Sequence, residues 1–394
     1  MLQNAPAATS AEDEMLDQIV ESVRALCARF PGEYWRKTDR ERAYPTEFVE
    51  AMTEGGFLGV LIPEEYGGSG LSLSVAARIL ETVHSEGGNA GALHAQMYTM
   101  GTLLRHGTEA QKNEWLPRIA TGEVRLQAFG VTEPTAGTDT TSLRTTARRE
   151  GDEYVINGQK IWTSRAEHSD LMILLARTTP RDQVSKRSEG MSVFLVDMKK
   201  ALGNGMEITP IRTMLNHATT SVYFDNLRIP ADNLIGEEGR GFRYILDGMN
   251  AERILIAAEC IGDADWFTKT ATAYANERVV FGKPIGANQG VQFPIAQAYA
   301  QAQAARLMVY RAAAMFDAGQ PCGPQANMAK LLAADASWKA GDTCLQTHGG
   351  FGFAEEYDVE RKFRETRLYQ VAPISTNLIL SYLGEHVLGM PKSY

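Results

Sequence analysis

QAFGVTEPTAGTDTTSLRTTARREGDEYVINGQKIWTS, running from Gln127 to Ser164, is where the chain stops reading as helix. On its N-terminal side the segments are rich in Ala, Leu, Glu and Met. Within it a Gly/Pro/Thr-rich turn gives way to strand-like alternation around Glu153 to Ile156 and Ile161 to Trp162. Thr132, Thr135, Thr138, Thr140 and Thr141 offer hydroxyls, while Gly130 and Gly137 let the backbone approach a ligand closely. Two readings fit this chemistry. A flat polar ligand can lie against the exposed backbone and hydroxyls, or the turn is a threonine-rich surface loop ahead of a hairpin.

Upstream of this stretch, residues 1–10 read as a disordered lead. Helical spacing then runs from Ala11 through Phe30, with Met15, Ile19, Val20, Val23 and Leu26 on one side. Trp35 to Tyr44 reads as a charged break. A helix follows from Pro45 to Glu54, with proline at a position that tolerates it. Leu58 to Gly70 is a short buried run stopped by Pro63. Helices are expected at Leu71–Ser85, Gly91–Leu104 and Glu109–Ala120.

Downstream, LMILLART, MSVFLVDM and TTSVYFDNLRI alternate like strands, with no helical crossovers between them. That pattern predicts a small antiparallel β domain. Long apolar helices then resume at Phe242–Ala275, Val291–Ala318 and Gln325–Thr347, and a last helical segment covers Asn377–Val387. The expected fold is α+β, with an N-terminal helical domain at 1–123, a central antiparallel β domain at 124–236 and a C-terminal long-helix bundle at 237–394.

A chain of 394 residues exceeds what one growing core accommodates, so several domains are expected. The net charge of −9 argues against a nucleic-acid binder and for a cytoplasmic setting. No run approaches the ~18 apolar residues of a membrane span. The N-terminus lacks the layout of a signal peptide. Cys27, Cys260, Cys322 and Cys344 form no CxxC pair, which argues against a disulfide framework or a cysteine-based zinc site.

The order of domains, together with IPEEYGGSGL (62–71), TEPTAGTD (132–139), INGQKIWTS (156–164), DNLRIP (225–230), ERVVFGKPI with NQ (277–289) and QTHGGFG (346–352), resembles the acyl-CoA dehydrogenase family. The resemblance extends over nearly the whole chain, from about Glu14 to Leu388. It implies a homotetramer, a dimer of dimers, with one FAD per subunit between the β domain and the C-terminal bundle. The flavin ring is expected against Phe129, Val131, Thr132, Trp162 and Ser164, with the Ser164 hydroxyl towards flavin N5, where density develops on reduction. Relatives read Trp-Ile-Thr there; this chain reads Trp162-Thr163-Ser164 and keeps the hydroxyl. Thr138 matches a Ser or Thr near flavin and thioester. Arg278, Phe281 and Gln289, with Gln346, Gly349 and Gly350, match contacts made to a neighbouring subunit's FAD. A guanidinium suits a diphosphate, and paired glycines admit one closely. Without the resemblance, Trp162 reads equally as a strand aromatic and Arg278 as a surface cation.

The family's reaction removes an α-proton and transfers a β-hydride to flavin N5, which calls for a carboxylate base in a water-poor pocket. Most members carry it in a Tyr-Glu-Gly-Thr segment after a Tyr-Gln pair. Here YQVAPISTNL (Tyr369 to Leu378) places Pro373 at the glutamate position, and proline accepts no proton. Ser375 and Asn377 match the Thr and Gln that usually touch the cofactor. A minority of members draw the base from the first long C-terminal helix, directly before an arginine. In GMNAERILIAAE that residue is Glu252, followed by Arg253, which would orient the site and substrate. The alternative for the pair is a solvated helix-surface couple. Glu365 corresponds to a structural residue. Met214, Asn216 and His217 replace the usual Gly-Arg-Ser-like string and either border the pocket or shape a loop. Gln96, Tyr98, Thr99 and Met100 stand where the acyl pocket's depth is set.

The expected activity is therefore α,β-desaturation of a saturated acyl-CoA to the trans-2-enoyl-CoA, with electron-transfer flavoprotein as acceptor. Two alternatives share the fold: a flavin monooxygenase or oxidase, and a non-catalytic acyl-CoA-binding relative suggested by the missing glutamate.

Overall fold

The computed structural model describes residues 11–392, so the expected lead at 1–10 lies outside the described residues. The N-terminal part is helical: α1 (Ala11–Cys27), α2 (Gly32–Glu41), α3 (Thr46–Glu54), α4 (Leu73–Ser85), α5 (Gly91–His106) and α6 (Glu109–Ala120). Local chemistry sets several of the starts. Ser72 caps α4 by accepting from Val75 N–H, and Thr108 with Gln111 forms a reciprocal capping box on α6.

The charged break expected at Trp35–Tyr44 is instead largely α2. Its only buried residues are Trp35 and Thr38, too few to make a visible period. Trp35 nevertheless anchors the helix, meeting Phe48 edge-on at 4.9 Å and Tyr34 at 5.3 Å.

The middle of the chain forms β1 (Leu126–Gly130), β2 (Thr146–Glu150), β3 (Glu153–Ser164), β4 (Leu171–Arg177), β5 (Met191–Asp197), a single turn α7 (Met198–Ala201), β6 (Met206–Pro210), β7 (Thr219–Pro230) and β8 (Leu234–Ile235). They build one eight-stranded sheet in the order β6-β7-β3-β2-β4-β5-β8, with β1 paired to β4. The two strand-like segments expected within 153–162 are one strand, β3, whose register against β7 shifts between Ile156 and Gly158 and between Ile161 and Thr163. The expectation of a purely antiparallel domain also needs correcting. β1 and β4 run parallel, with Phe129 opposite Ile173, and β2 makes a short parallel contact with β4. Such a pair joins distant segments, and β4 is buried along its whole length, so its own pattern does not announce direction.

The C-terminal part holds α8 (Gly241–Glu277), a hairpin of β9 (Val279–Val280) and β10 (Lys283–Pro284), α9 (Gln289–Asp317), α10 (Gly323–His348), α11 (Val359–Arg367) and α12 (Thr376–Tyr382). α11 was not expected. The final segment also divides, α12 being followed by one wider turn at Leu383–Val387.

One apolar core unites α1, α3, α4 and α5 with α8, α9 and α10. A second lies between α5, α6 and one face of the sheet, and a third covers the other face. α5 is thus shared between the helical core and the sheet, and it leads directly to the site.

Candidate active site

The opening stretch is held from inside by one buried ion pair. Lys160 on β3 reaches Glu133 at 2.8 Å and donates to the Val131 carbonyl at 3.1 Å. Glu133 also accepts from the backbone N–H groups of Arg144 (2.6 Å) and Thr145 (2.9 Å). Burial pushes the Lys160 ammonium down to about 8, against the pull of Glu133. Burial likewise opposes the charge on Glu133, but Lys160 and the hydrogen bonds outweigh it and hold that carboxyl low. The turn from Val131 to Thr145 is therefore fixed at both ends, while Thr138 between them stays exposed.

At the far end of β3, Trp162 adopts a left-handed backbone (φ 59°) and leaves its indole 57 % exposed. An exposed indole on a strained backbone, beside a buried core, is a surface built to be covered. Thr132 accepts from Ile161 N–H at 2.9 Å, which sets the turn against the strand. Phe129 and Ser164 are half-buried, Val131 is buried, and the neighbouring Thr163 Oγ1 is buried with no partner among the described residues. This shelf fits one side of a flat aromatic cofactor.

Glu252 sits on α8 and is only 7 % exposed. Among the described residues its carboxylate has no hydrogen bond and no ion pair, so it is not a solvated couple with Arg253. Burial raises its pKa, opposed by His94, Arg253 and Lys330. Arg253 turns back to Asn250 Oδ1 at 3.2 Å and keeps a buried, unpartnered Nε. Tyr98 of α5 packs on the shelf and lies in the field of this carboxylate. Its ring meets Phe129 edge-on at 5.3 Å and His94 at 5.1 Å, and its hydroxyl, raised first by burial, also feels the charge of Glu252. Along the same helix, His94 Nε2, Gln96 Oε1 and Thr99 Oγ1 are buried without partners among the described residues. Unpaired buried atoms cost about 1–3 kcal/mol each, so each of these is a point that a polar ligand group or a water would satisfy.

The segment after Tyr369 is positioned by Lys330, whose Nζ donates to the carbonyls of Tyr369 (2.6 Å) and Ile374 (2.8 Å). Ser375 caps α12, and Asn377 is exposed in its first turn. The remaining expected cofactor residues gather on a separate patch. Arg278 lies over the Phe351 ring at 5.9 Å, beside Gly349 and Gly350, where a methyl group would meet nothing within 4 Å. Gln346 is exposed at the end of α10, Gln289 at the start of α9, and Phe281 at the hairpin tip. Among the described residues, no hydrogen bond or ring contact ties this patch to Trp162 or Ser164.

Sequence reasoning missed His94, Lys330 and Arg165. His94 and Lys330 are lone polar residues among apolar and small ones, Arg165 stands in the polar run from Thr163 to Asp170, and only the folded neighbours reveal them. Of the undecided string, Met214 is exposed, Asn216 ties down the carbonyls of Thr38 (3.1 Å) and Ala43 (2.8 Å), and His217 turns inward to Arg165.

Models of the N-terminal, middle and C-terminal domains of acyl-CoA dehydrogenase match residues 13–123, 128–227 and 239–386. The three-part fold is that of a flavoprotein class, and the chain belongs to the acyl-CoA dehydrogenase family. It is 33 % identical to the acyl-CoA dehydrogenase FadE12 of Mycobacterium tuberculosis, over 97 % of this chain and 98 % of that one. The solved glutaryl-coenzyme A dehydrogenase in complex with glutaryl-CoA superposes with a TM-score of 0.90 at 32 % identity, covering 99 % and 98 % of the two chains. The FAD complex of PigA does so with 0.89 at 25 % identity, covering 98 % and 100 %. The fold is thus that of FAD-binding relatives, and oxidoreductase chemistry of the acyl-CoA dehydrogenase type goes with it. Among the described residues, no helix is long and apolar enough to cross a membrane.

Proposed function

We propose that this protein oxidises a saturated acyl-CoA thioester to its trans-2-enoyl-CoA, with Glu252 as the base that takes the α-proton. The observation that carries this reading is the buried, unpaired Glu252 carboxylate, whose field reaches Tyr98, the residue whose ring packs on Phe129 of the aromatic shelf. A carboxylate without partners keeps its lone pairs for substrate, and burial moves it towards the working range of a general base. Pro373 leaves no acceptor at the family's more common position.

FAD, when bound, supplies the two-electron acceptor for the β-hydride. Phe129, Val131, Thr132, Trp162 and Ser164 would hold its ring, with Thr138 between ring and thioester and Ser375 and Asn377 nearby. Arg278, Phe281, Gln289, Gln346, Gly349 and Gly350 would hold its distal half across a subunit interface, in a homotetramer. Lys160 and Glu133 keep the shelf rigid, and Arg253 orients substrate beneath the base. Electron-transfer flavoprotein is the proposed acceptor and the cytoplasm the proposed compartment.

The test is anaerobic mixing of the FAD-loaded protein with a broad panel of saturated acyl-CoAs. Loss of oxidised-flavin absorbance with at least one of them is expected. Bleaching by none would remove the dehydrogenase reading, and an unchanged rate in Glu252→Gln would remove the base assignment. Rapid oxygen consumption by the reduced protein would favour an oxidase instead.

A further inference from the structure

Arg165 plays no part in the reaction proposed above. It follows Ser164 with a left-handed backbone (φ 58°), and its side chain turns inward until the residue is only 6 % exposed. A buried guanidinium normally meets a carboxylate, because an uncompensated interior charge costs several kcal/mol. Among the described residues no carboxylate lies within 4.0 Å of it. Its one side-chain partner is the Nδ1 of His217, at 3.3 Å. Burial, then Arg165 and His94, hold His217 well below the usual histidine range, so the ring is neutral. With Nδ1 accepting from Arg165, the ring proton resides on Nε2 and gives a second donor.

Both residues line a cavity of about 30 Å³, together with Asn89, Tyr44 and Asn216. That is room for one or two water-sized groups, or for the end of a ligand. Two carboxylates border the same cavity, and each is committed elsewhere. Glu365 is ion-paired with Arg361 (3.0 Å) and Lys362 (3.4 Å), and Asp39 with Arg364 (2.7 Å). A third carboxylate, the buried Glu259, reaches Arg165 only through its field and is itself held by His94 (3.1 Å) and the Tyr369 hydroxyl (3.1 Å), so among the described residues no carboxylate contacts Arg165 directly. It packs against Gly91 at the start of α5, where any side chain would collide with the guanidinium. The same helix carries Tyr98, whose hydroxyl lies in the field of both Glu252 and Arg165.

We infer that Arg165 and His217 form an anion subsite at the distal end of the acyl pocket, and that the preferred acyl group ends in a carboxylate. This rests on the acyl-CoA reading above. A methyl-terminated acyl group would leave Arg165 buried and unpaired, whereas a carboxylate would accept from both donors. Sites that bury a partner for one substrate group reject analogues lacking it strongly.

The experiment compares matched thioesters on the FAD-loaded protein: glutaryl-CoA against pentanoyl-CoA, and adipyl-CoA against hexanoyl-CoA. Flavin bleaching gives kcat/KM, and equilibrium binding to the oxidised protein is measured alongside. The carboxylate-to-methyl ratio of kcat/KM should exceed about tenfold, equivalent to one decade of differential binding. In Arg165→Gln that ratio should fall at least about tenfold, and Arg165→Lys should retain part of it. His217→Gln provides an independent arm if the arginine variants lose FAD or fold. Equal or better turnover of the methyl-terminated partners would overturn the subsite and leave the dehydrogenase reading standing. If nothing bleaches the flavin, that reading falls. Binding then decides: tighter binding of the carboxylate thioesters, lost in Arg165→Gln, sustains the subsite, and equal binding of each pair ends it.

Discussion

Glu252 holds its charge against its surroundings, and the consequence is measurable in two ways. Burial raises its folded-state pKa above the unfolded carboxylate value of about 4.3. Its contribution to stability is therefore fully present below that unfolded value and is lost as pH rises through the raised one. Glu252→Gln, which cannot ionise, should melt at a higher temperature than the parent at pH 8, and the gap should close on acidification. Activity follows the opposite course. The bleaching rate of the parent should fall as pH drops through the raised pKa, and Glu252→Gln should lose about 10²–10⁴-fold or more at any pH. A variant that melts lower at pH 8 would mean that the carboxylate has a stabilising partner. At this scale the sequence was partly legible. Glu252 stood out as a candidate because Pro373 removed its rival, whereas Arg165 and His94 carry meaning only through what surrounds them, and their neighbours come from α5, α8, β3 and the 211–218 loop.

Charge-rich segments were the hardest elements to read. α11 looks solvated in sequence, yet Arg361, Lys362 and Glu365 are buried. Lys362 pairs with Asp263 of α8, which also holds His84 of α4 at 2.8 Å, so α11 is locked by groups far away in the chain. A hydrophobic period is absent because its inward face is ionic. The long helices, with apolar periods of their own, were placed within a few residues. Two changes probe how elements are joined. Gly262 of α8 lets the helix approach α4 so closely that an added Cβ would lie 2.7 Å from His84 Cβ and against the Glu81 carbonyl. Gly262→Ala should cost about 1–3 kcal/mol in denaturant unfolding, since backbone cannot yield as a side-chain tip does. In the sheet, Lys160→Met strands a buried Glu133. It should cost about 3–5 kcal/mol and lower FAD content, and adding Glu133→Gln should return part of the loss. Strict additivity of the two changes would show that the pair does not act as a unit.

Across the whole molecule, the order of helical part, sheet and long-helix bundle was legible because hydrophobic period changes twice along the chain. The parallel β1–β4 pair was not, since strand direction depends on where distant segments meet. The surface carries a further message. Phe281 is fully exposed at the hairpin tip with φ 52°, and Val279, Phe293, Tyr299 and Leu307 are also exposed on the hairpin and α9. Exposed apolar side chains of this kind fit burial against another copy. Phe281→Glu should shift the sedimentation profile to smaller species and reduce bound FAD, and an unchanged profile would place the interface elsewhere.

The hairpin tip also makes a statement about concentration. Among the described residues no ring contact covers Phe281, and the cationic patch beside it has no link to the shelf at Trp162. If half of each cofactor cradle is lent by a neighbour, then FAD retention obeys mass action between subunits as well as between protein and ligand. Serial dilution should release flavin fluorescence before the helical signal falls, and added FAD should restore specific activity by driving reassembly.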